Sequence, residues 1–164
     1  MAKAILICGK ICSGKTFLSR RLKEKENAVV LSCDEIMTLF PPIDGDEAYA
    51  EVSEKVRACL KYKAADIIRC GTSVILDWGF WRKADRVEAV SFFTEQGIPA
   101  VWYYLDVSDG QWERNIEKRN ARPGPADYYV DAGLKEKCKR LFEAPDVLER
   151  AAWPAGSVTI ETEK

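Results

Sequence analysis

Ala4-Ile5-Leu6-Ile7-Cys8-Gly9-Lys10-Ile11-Cys12-Ser13-Gly14-Lys15-Thr16 joins an apolar run directly to the pattern G-x-x-x-x-G-K-[ST]. An unbroken apolar run of this length is what a strand buried on both faces looks like. The octapeptide after it is a P-loop in its proper setting, between a strand and a helix. Gly9 and Gly14 let the chain wrap closely round a polyphosphate. The loop N–H groups of Lys10, Ile11, Cys12 and Ser13, with the N-terminal end of the next helix, then face the anion. Lys15 is placed to reach the β- and γ-phosphates, and the Thr16 hydroxyl to bind Mg²⁺.

Downstream of the loop the pattern alternates. Phe17, Leu18 and Leu22 mark the apolar face of a helix from Lys15 to about Lys25, and Val29-Val30-Leu31 is a second strand. Pro41-Pro42 and Asp44-Gly45-Asp46 break the chain. Tyr49, Val52, Val56, Leu60, Ala64 and Ile67 then recur at helical spacing up to Gly71. Val74-Ile75-Leu76 is a third strand ending at Asp77, followed by a helix carrying Ala84, Val87 and Val90 that Gly97 and Pro99 stop.

Ala100 to Leu105 is a fourth strand, and Ser108 and Gln111 have capping-box spacing for a helix ended by Pro123-Gly124-Pro125. Leu134, Cys138 and Leu141 give one more amphipathic helix, and Ser157 to Ile160 a last strand. Strands alternating with helices predict a three-layer α/β/α P-loop NTPase fold on a mostly parallel five-stranded sheet. Ligands bind such sheets at the carboxyl ends of the strands. With 164 residues and no linker or repeat, residues 1–164 are read as one domain with a lid near 114–130.

Composition removes several chemistries. There is no histidine, so Ser-His, Cys-His and His-ligated zinc mechanisms are excluded and any general base must be a carboxylate. The 25 basic and 26 acidic residues leave a net charge of -1, which gives no overall drive toward nucleic acid or membrane. Six cysteines without a C-x-x-C pair read as buried thiols of a soluble cytoplasmic protein. Cys12 stands apart, as a redox-sensitive candidate inside the phosphate loop.

Three aspartates stand just beyond apolar strands: Asp34, Asp77 and Asp106. Asp34 is a candidate base toward an acceptor hydroxyl, with a helix N-cap for Glu35 to Phe40 as its structural alternative. Asp77 follows an apolar run in the Walker B manner and would help hold Mg²⁺. Asp106 reads as a turn residue. Arg114, Lys118, Arg119 and Arg122 cluster after the fourth strand, and Arg119 and Arg122 are the pair best placed to meet developing phosphoryl charge. The Trp78-Gly79-Phe80-Trp81 segment lines an acceptor pocket, stacks on a base or packs against the lid.

On the motif at Gly9 to Thr16, Ser32-Cys33-Asp34, Leu76-Asp77 with Arg86, and Arg119 with Arg122, the chain resembles small P-loop kinase-like ATP-binding proteins labelled AAA-family ATPases. Zeta toxins, chloramphenicol phosphotransferase and the kinase domain of polynucleotide kinase are related groups. The resemblance implies a kinase using ATP and Mg²⁺, with Asp34 as base toward a hydroxylated small-molecule acceptor. Asp77-Trp78-Gly79-Phe80 departs from the Asp-Asn-Thr-Asn of many polynucleotide kinases, which makes nucleic-acid ends a poorer fit. The absence of [NT]-K-x-D favours ATP over GTP, and the short chain lacks the arginine-finger module of a ring motor. A nucleotide-dependent switch that binds a protein partner, a nucleic-acid end kinase and a single-strand binding module are the alternatives; oligomeric state stays open.

Overall fold

The opening apolar run forms β1 (Ala4–Cys8), whose five residues are all buried. The computed structural model describes residues 1–124 and 129–162. Pro125 and part of the expected lid, residues 125–128, lie outside the described residues.

After β1 come α1 (Lys15–Glu26), β2 (Val29–Leu31), α2 (Cys33–Met37), α3 (Asp46–Arg69), β3 (Val74–Gly79) and α4 (Lys83–Glu95). The chain continues through β4 (Ala100–Val107), α5 (Asp109–Ala121), α6 (Ala132–Leu141), α7 (Val147–Ala151) and β5 (Val158–Thr162). The five strands lie in the order β2-β3-β1-β4-β5. Every pair is parallel, so the sheet is wholly rather than mostly parallel.

Strand residues alternate between two faces. Ala4, Leu6 and Cys8 pack with Leu76, Trp102, Ala64 and Ile68 of α3, and Ala89 and Phe93 of α4. Ile5 and Ile7 pack with Ile75, Leu22 of α1, Trp112 and Ile116 of α5, and Cys138 of α6. Both faces are therefore covered, as a parallel sheet requires.

Several helix faces differ from the expected ones. Phe17 is 67% exposed, and the face of α1 turned inward carries Ser19 and Leu22. Val87 is exposed and Ala84 lies outside the buried set of α4, which is Arg86, Ala89 and Phe93. Tyr49 is also exposed, because only the last turns of α3 reach the core, at Ala64, Ala65 and Ile68. Cys59 and Cys70 of this region are exposed, contrary to the expectation of buried thiols, whereas Cys8, Cys33 and Cys138 are buried. Burial pushes the Cys8 thiol up to about 12, against the opposing charges of Arg86 and Lys15.

β3 runs past Asp77 to Gly79, with a register shift opposite the segment from Leu6 to Cys8 of β1. Two residues of β3, Asp77 and Trp78, thus stand opposite one of β1, and such a bulge re-aims the side chains beyond it. Trp78 and Phe80 turn into the sheet's α3/α4 face, where Phe80 meets Trp102 edge-on at 5.0 Å. At Gly79 (φ 84°) an added Cβ would stand 2.8 Å from Trp81 Nε1 and 3.3 Å from the Gly9 carbonyl. Glycine is needed there on both counts, left-handed backbone and close approach. The turn abuts the phosphate loop directly, since Gly9 N donates to Gly79 O at 3.1 Å. Asp106 lies within β4 rather than in a turn, and its carboxylate accepts from the Tyr104 hydroxyl at 3.2 Å.

Candidate active site

A cleft of about 1190 Å³ opens beyond the carboxyl ends of β1, β2 and β3. It exceeds the ~300–1,000 Å³ usual for one small ligand, so two substrates have room in it. Ile11, Cys12, Ser13, Gly14, Lys15 and Thr16 line it, as do Asp34, Asp77, Arg119 and Arg122. Gly9 and Lys10 do not line it. The Lys10 ammonium turns away to Asp109 at 3.1 Å and lies 5.0 Å over the Trp112 ring.

The loop is gripped from one side by α5. Trp112 Nε1 donates to Ile11 O at 2.6 Å, Asn115 Nδ2 to Cys12 O at 2.9 Å, and Arg119 Nη1 to Cys12 Sγ at 3.4 Å. Positions 112, 115 and 119 share one helix face, which is why a single helix can hold successive loop residues. Cys12 is held at φ 57°, unusual for a residue with a side chain. The Ser108 hydroxyl caps α5 by accepting from Gln111 N at 3.4 Å. Gln111 does not complete a reciprocal box: its amide donates instead to Asn115 Oδ1 at 2.7 Å, orienting the residue that holds Cys12. Sequence periodicity marks Trp112 and Ile116 as an apolar pair, but nothing local signals that Trp112 and Asn115 reach back to the loop.

Ser13 Oγ is buried and has no hydrogen-bond partner among the described residues. A buried orphan acceptor-donor inside a ring of loop N–H groups fits a phosphate oxygen. Among the described residues no cluster of three or more acidic or thiol side chains could hold a metal ion. A Mg²⁺ at Thr16 and Asp77 would accordingly depend on phosphate oxygens and water for its other ligands, which is that ion's usual mode.

Lys15 Nζ donates to Gly9 O at 3.1 Å and Lys10 O at 2.6 Å. Burial lowers its pKa, opposed first by the Asp77 charge and then by that of Asp34. The Asp77 carboxylate accepts from Ser19 Oγ at 3.0 Å. Burial raises its pKa, with Lys15 and the Ser19 hydroxyl pulling the other way.

An acid whose pKa is higher folded than unfolded stabilises the fold below its unfolded pKa and loses that contribution as pH rises through the folded value. Ionising Asp77 thus costs the fold stability as pH rises. Asp77→Asn is expected to raise the melting midpoint of the ligand-free protein by about 2–4 °C per kcal/mol relieved. The gain should shrink as the solution is acidified through the folded pKa. Circular-dichroism melts at neutral and acid pH check this, and a variant melting below wild type at neutral pH would refute it.

Asp34 sits in the first turn of α2, exposed at the cleft wall. The helix cap is Ser32, whose hydroxyl accepts from Glu35 N at 3.3 Å. The expected alternative role of Asp34 as N-cap is therefore filled two residues earlier, and among the described residues no group hydrogen-bonds its carboxylate. Of the aromatic segment only Trp81 lines the cleft, Trp78 and Phe80 being taken up by the core. Arg86 also serves structure: it is 1% exposed and forks onto Glu149.

Among the described residues no helix is long and apolar enough to cross a membrane. A family model described as an AAA domain matches residues 5–145. No curated protein matches the chain by sequence. Among solved structures, a candidate kinase from Chloroflexus aurantiacus is 23% identical, with a TM-score of 0.71 over 98% of this chain and 88% of that one. Kti12 from Chaetomium thermophilum, solved with ADP-AlF3, is 15% identical with a TM-score of 0.70, covering 96% and 88%. The APS kinase CysC of Mycobacterium tuberculosis, solved with AMPPNP and APS, is 16% identical with a TM-score of 0.63, also covering 96% and 88%. At these identities the likeness shows the fold, a P-loop kinase fold.

Proposed function

The chain belongs to this AAA domain family, and we propose that it is an ATP-dependent phosphotransferase acting on a hydroxyl of a small-molecule acceptor. It works as one P-loop kinase-like domain with its lid in the 114–130 region. The observation that carries the proposal is the Asp34 carboxylate, without a hydrogen-bond partner among the described residues, on the wall of a cleft that the phosphate loop and Arg119 also line, with the capping task left to Ser32. A nucleotide analogue together with APS in the structurally similar CysC supports a cleft for two ligands.

The Gly9–Thr16 loop holds the triphosphate. Lys15, Arg119 and Arg122 offset the charge that spreads over the phosphoryl oxygens in the transition state. Thr16 and Asp77 are the residues to hold Mg²⁺, which when bound neutralises phosphate charge. Asp34 takes the acceptor hydroxyl's proton as that oxygen bonds to the γ-phosphorus. The bond from the γ-phosphorus to the bridging oxygen breaks, and ADP leaves.

The test is a panel of hydroxylated metabolites, aminoglycoside and phenicol antibiotics, UDP-sugars and oligonucleotide ends incubated with γ-labelled ATP. Label passing to a small-molecule acceptor is the expected result. Label passing only to oligonucleotide ends, or to none of the panel while partner binding follows nucleotide state, would refute the proposal.

A further inference from the structure

Thr16, Arg20 and Lys23 stand at i, i+4 and i+7 along α1 and so share one helix face. That face lines the same cleft as Ser32, Asp34, Glu35 and Thr38 on the α2 side. Among the described residues neither Arg20 nor Lys23 forms an ion pair or a side-chain hydrogen bond. Arg21, next to Arg20 on the helix, instead lies over the Phe17 ring at 5.8 Å.

Position along the helix separates these two cations from the phosphate site. At ~1.5 Å per residue, the Arg20 and Lys23 backbones lie roughly 6 and 10 Å beyond Thr16, away from the loop that wraps the triphosphate. The nucleotide end of the cleft has its own cations in Lys15, Lys118, Arg119 and Arg122. The carboxylates of Asp34, Glu35 and Asp77 line the same cleft. A neutral acceptor would leave Arg20 and Lys23 uncompensated at its side. An acceptor with an anionic group would be repelled by the three carboxylates unless that group lay on α1, and this repulsion would turn its hydroxyl end toward Asp34.

Building on the phosphotransferase reading, we propose that the acceptor is a hydroxylated small molecule bearing a carboxylate or a phosphate, and that Arg20 and Lys23 bind this anionic group. The two side chains fix the acceptor's orientation, and its hydroxyl meets Asp34.

The experiment uses the full chain saturated with AMPPNP and Mg²⁺, titrated calorimetrically with matched sets: glucose, gluconate and glucose 6-phosphate; ribose, ribonate and ribose 5-phosphate; glycerol, glycerate and glycerol 3-phosphate. The expected result is that in at least one set a charged member binds about ten-fold or more tighter than the neutral one, the gain of charge-assisted hydrogen bonds. The double variant R20Q/K23Q should abolish that preference while its AMPPNP affinity stays within about two-fold, since neither residue belongs to the phosphate loop. Whether the carboxylate or the phosphate member gains more separates the two sources of charge. Equal affinity for neutral and charged members, no binding by any charged member, or an unchanged preference in the variant would overturn the proposal. A charged compound that binds through Arg20 and Lys23 yet takes no label from γ-labelled ATP leaves this subsite standing and removes phosphotransfer instead.

Discussion

Asp34→Asn is expected to keep nucleotide affinity within about two-fold and to lose phosphoryl transfer by ~10²- to 10⁴-fold, the usual cost of removing a general base. Asparagine matches aspartate in size and still hydrogen-bonds a hydroxyl, but it cannot take the proton. The fold should tolerate the change, because the side chain is exposed and Ser32 holds the helix start. One indirect effect must be separated: the Asp34 charge helps keep Lys15 protonated, although it ranks behind Asp77 in doing so. A pH profile of transfer distinguishes the two, since loss of the base depresses the rate at every pH whereas a weakened Lys15 charge is restored by acidification. Turnover equal to wild type with a true acceptor would take Asp34 out of the mechanism.

Glu149→Gln is expected to destabilise the protein by about 3–5 kcal/mol, the range for breaking a buried ion pair from one side. The Arg86 side chain is 1% exposed and that of Glu149 7%. Arg86 Nε and Nη2 donate to the two carboxylate oxygens at 2.5 and 2.9 Å. Its Nη1 is shared between Phe80 O at 3.0 Å and Trp81 O at 3.3 Å. One guanidinium therefore ties α4, α7 and the turn after β3 together. Removing the carboxylate leaves its charge buried without a counter-ion.

The double variant R86M/E149L should recover part of the loss, because no buried charge remains, but not all of it. The buried Phe80 carbonyl would lose its guanidinium donor and, among the described residues, keep the weak Cys8 Sγ contact at 3.6 Å. Urea unfolding of the single and double variants measures both terms. A loss below about 1 kcal/mol in Glu149→Gln would place the pair with ordinary surface bridges. Because this turn abuts Gly9 and ends in cleft-lining Trp81, weaker nucleotide binding should accompany the instability.

What could be read in advance follows the range of the signal. β1, the phosphate loop and α1 are contiguous, and their apolar run, glycines and helical spacing act within a few residues. Even the ends of β2 were legible at Val29 and Leu31, because a short apolar run was bounded by polar residues. Arg86 was different. Its partner Glu149 lies 63 residues on, so no local spacing marks it as a buried structural cation. With Arg86 inward, the buried stripe of α4 rotates away from Ala84 and Val87, which no hydropathy pattern could anticipate.

The site divides in the same way. The sequence by itself determined the phosphate loop, the alternation that makes a parallel α/β sheet, and the placing of Asp34 and Asp77 at its ligand-binding edge. Each depends on residue type at fixed short spacing, where backbone geometry leaves few choices. Only the tertiary structure decided that Ser32 rather than Asp34 caps α2, that Trp112, Asn115 and Arg119 grip the loop, and that Arg20 and Lys23 face the same cleft as Asp34. Those outcomes turn on which of several competent polar groups meet when distant segments pack, and chain spacing carries no record of that choice.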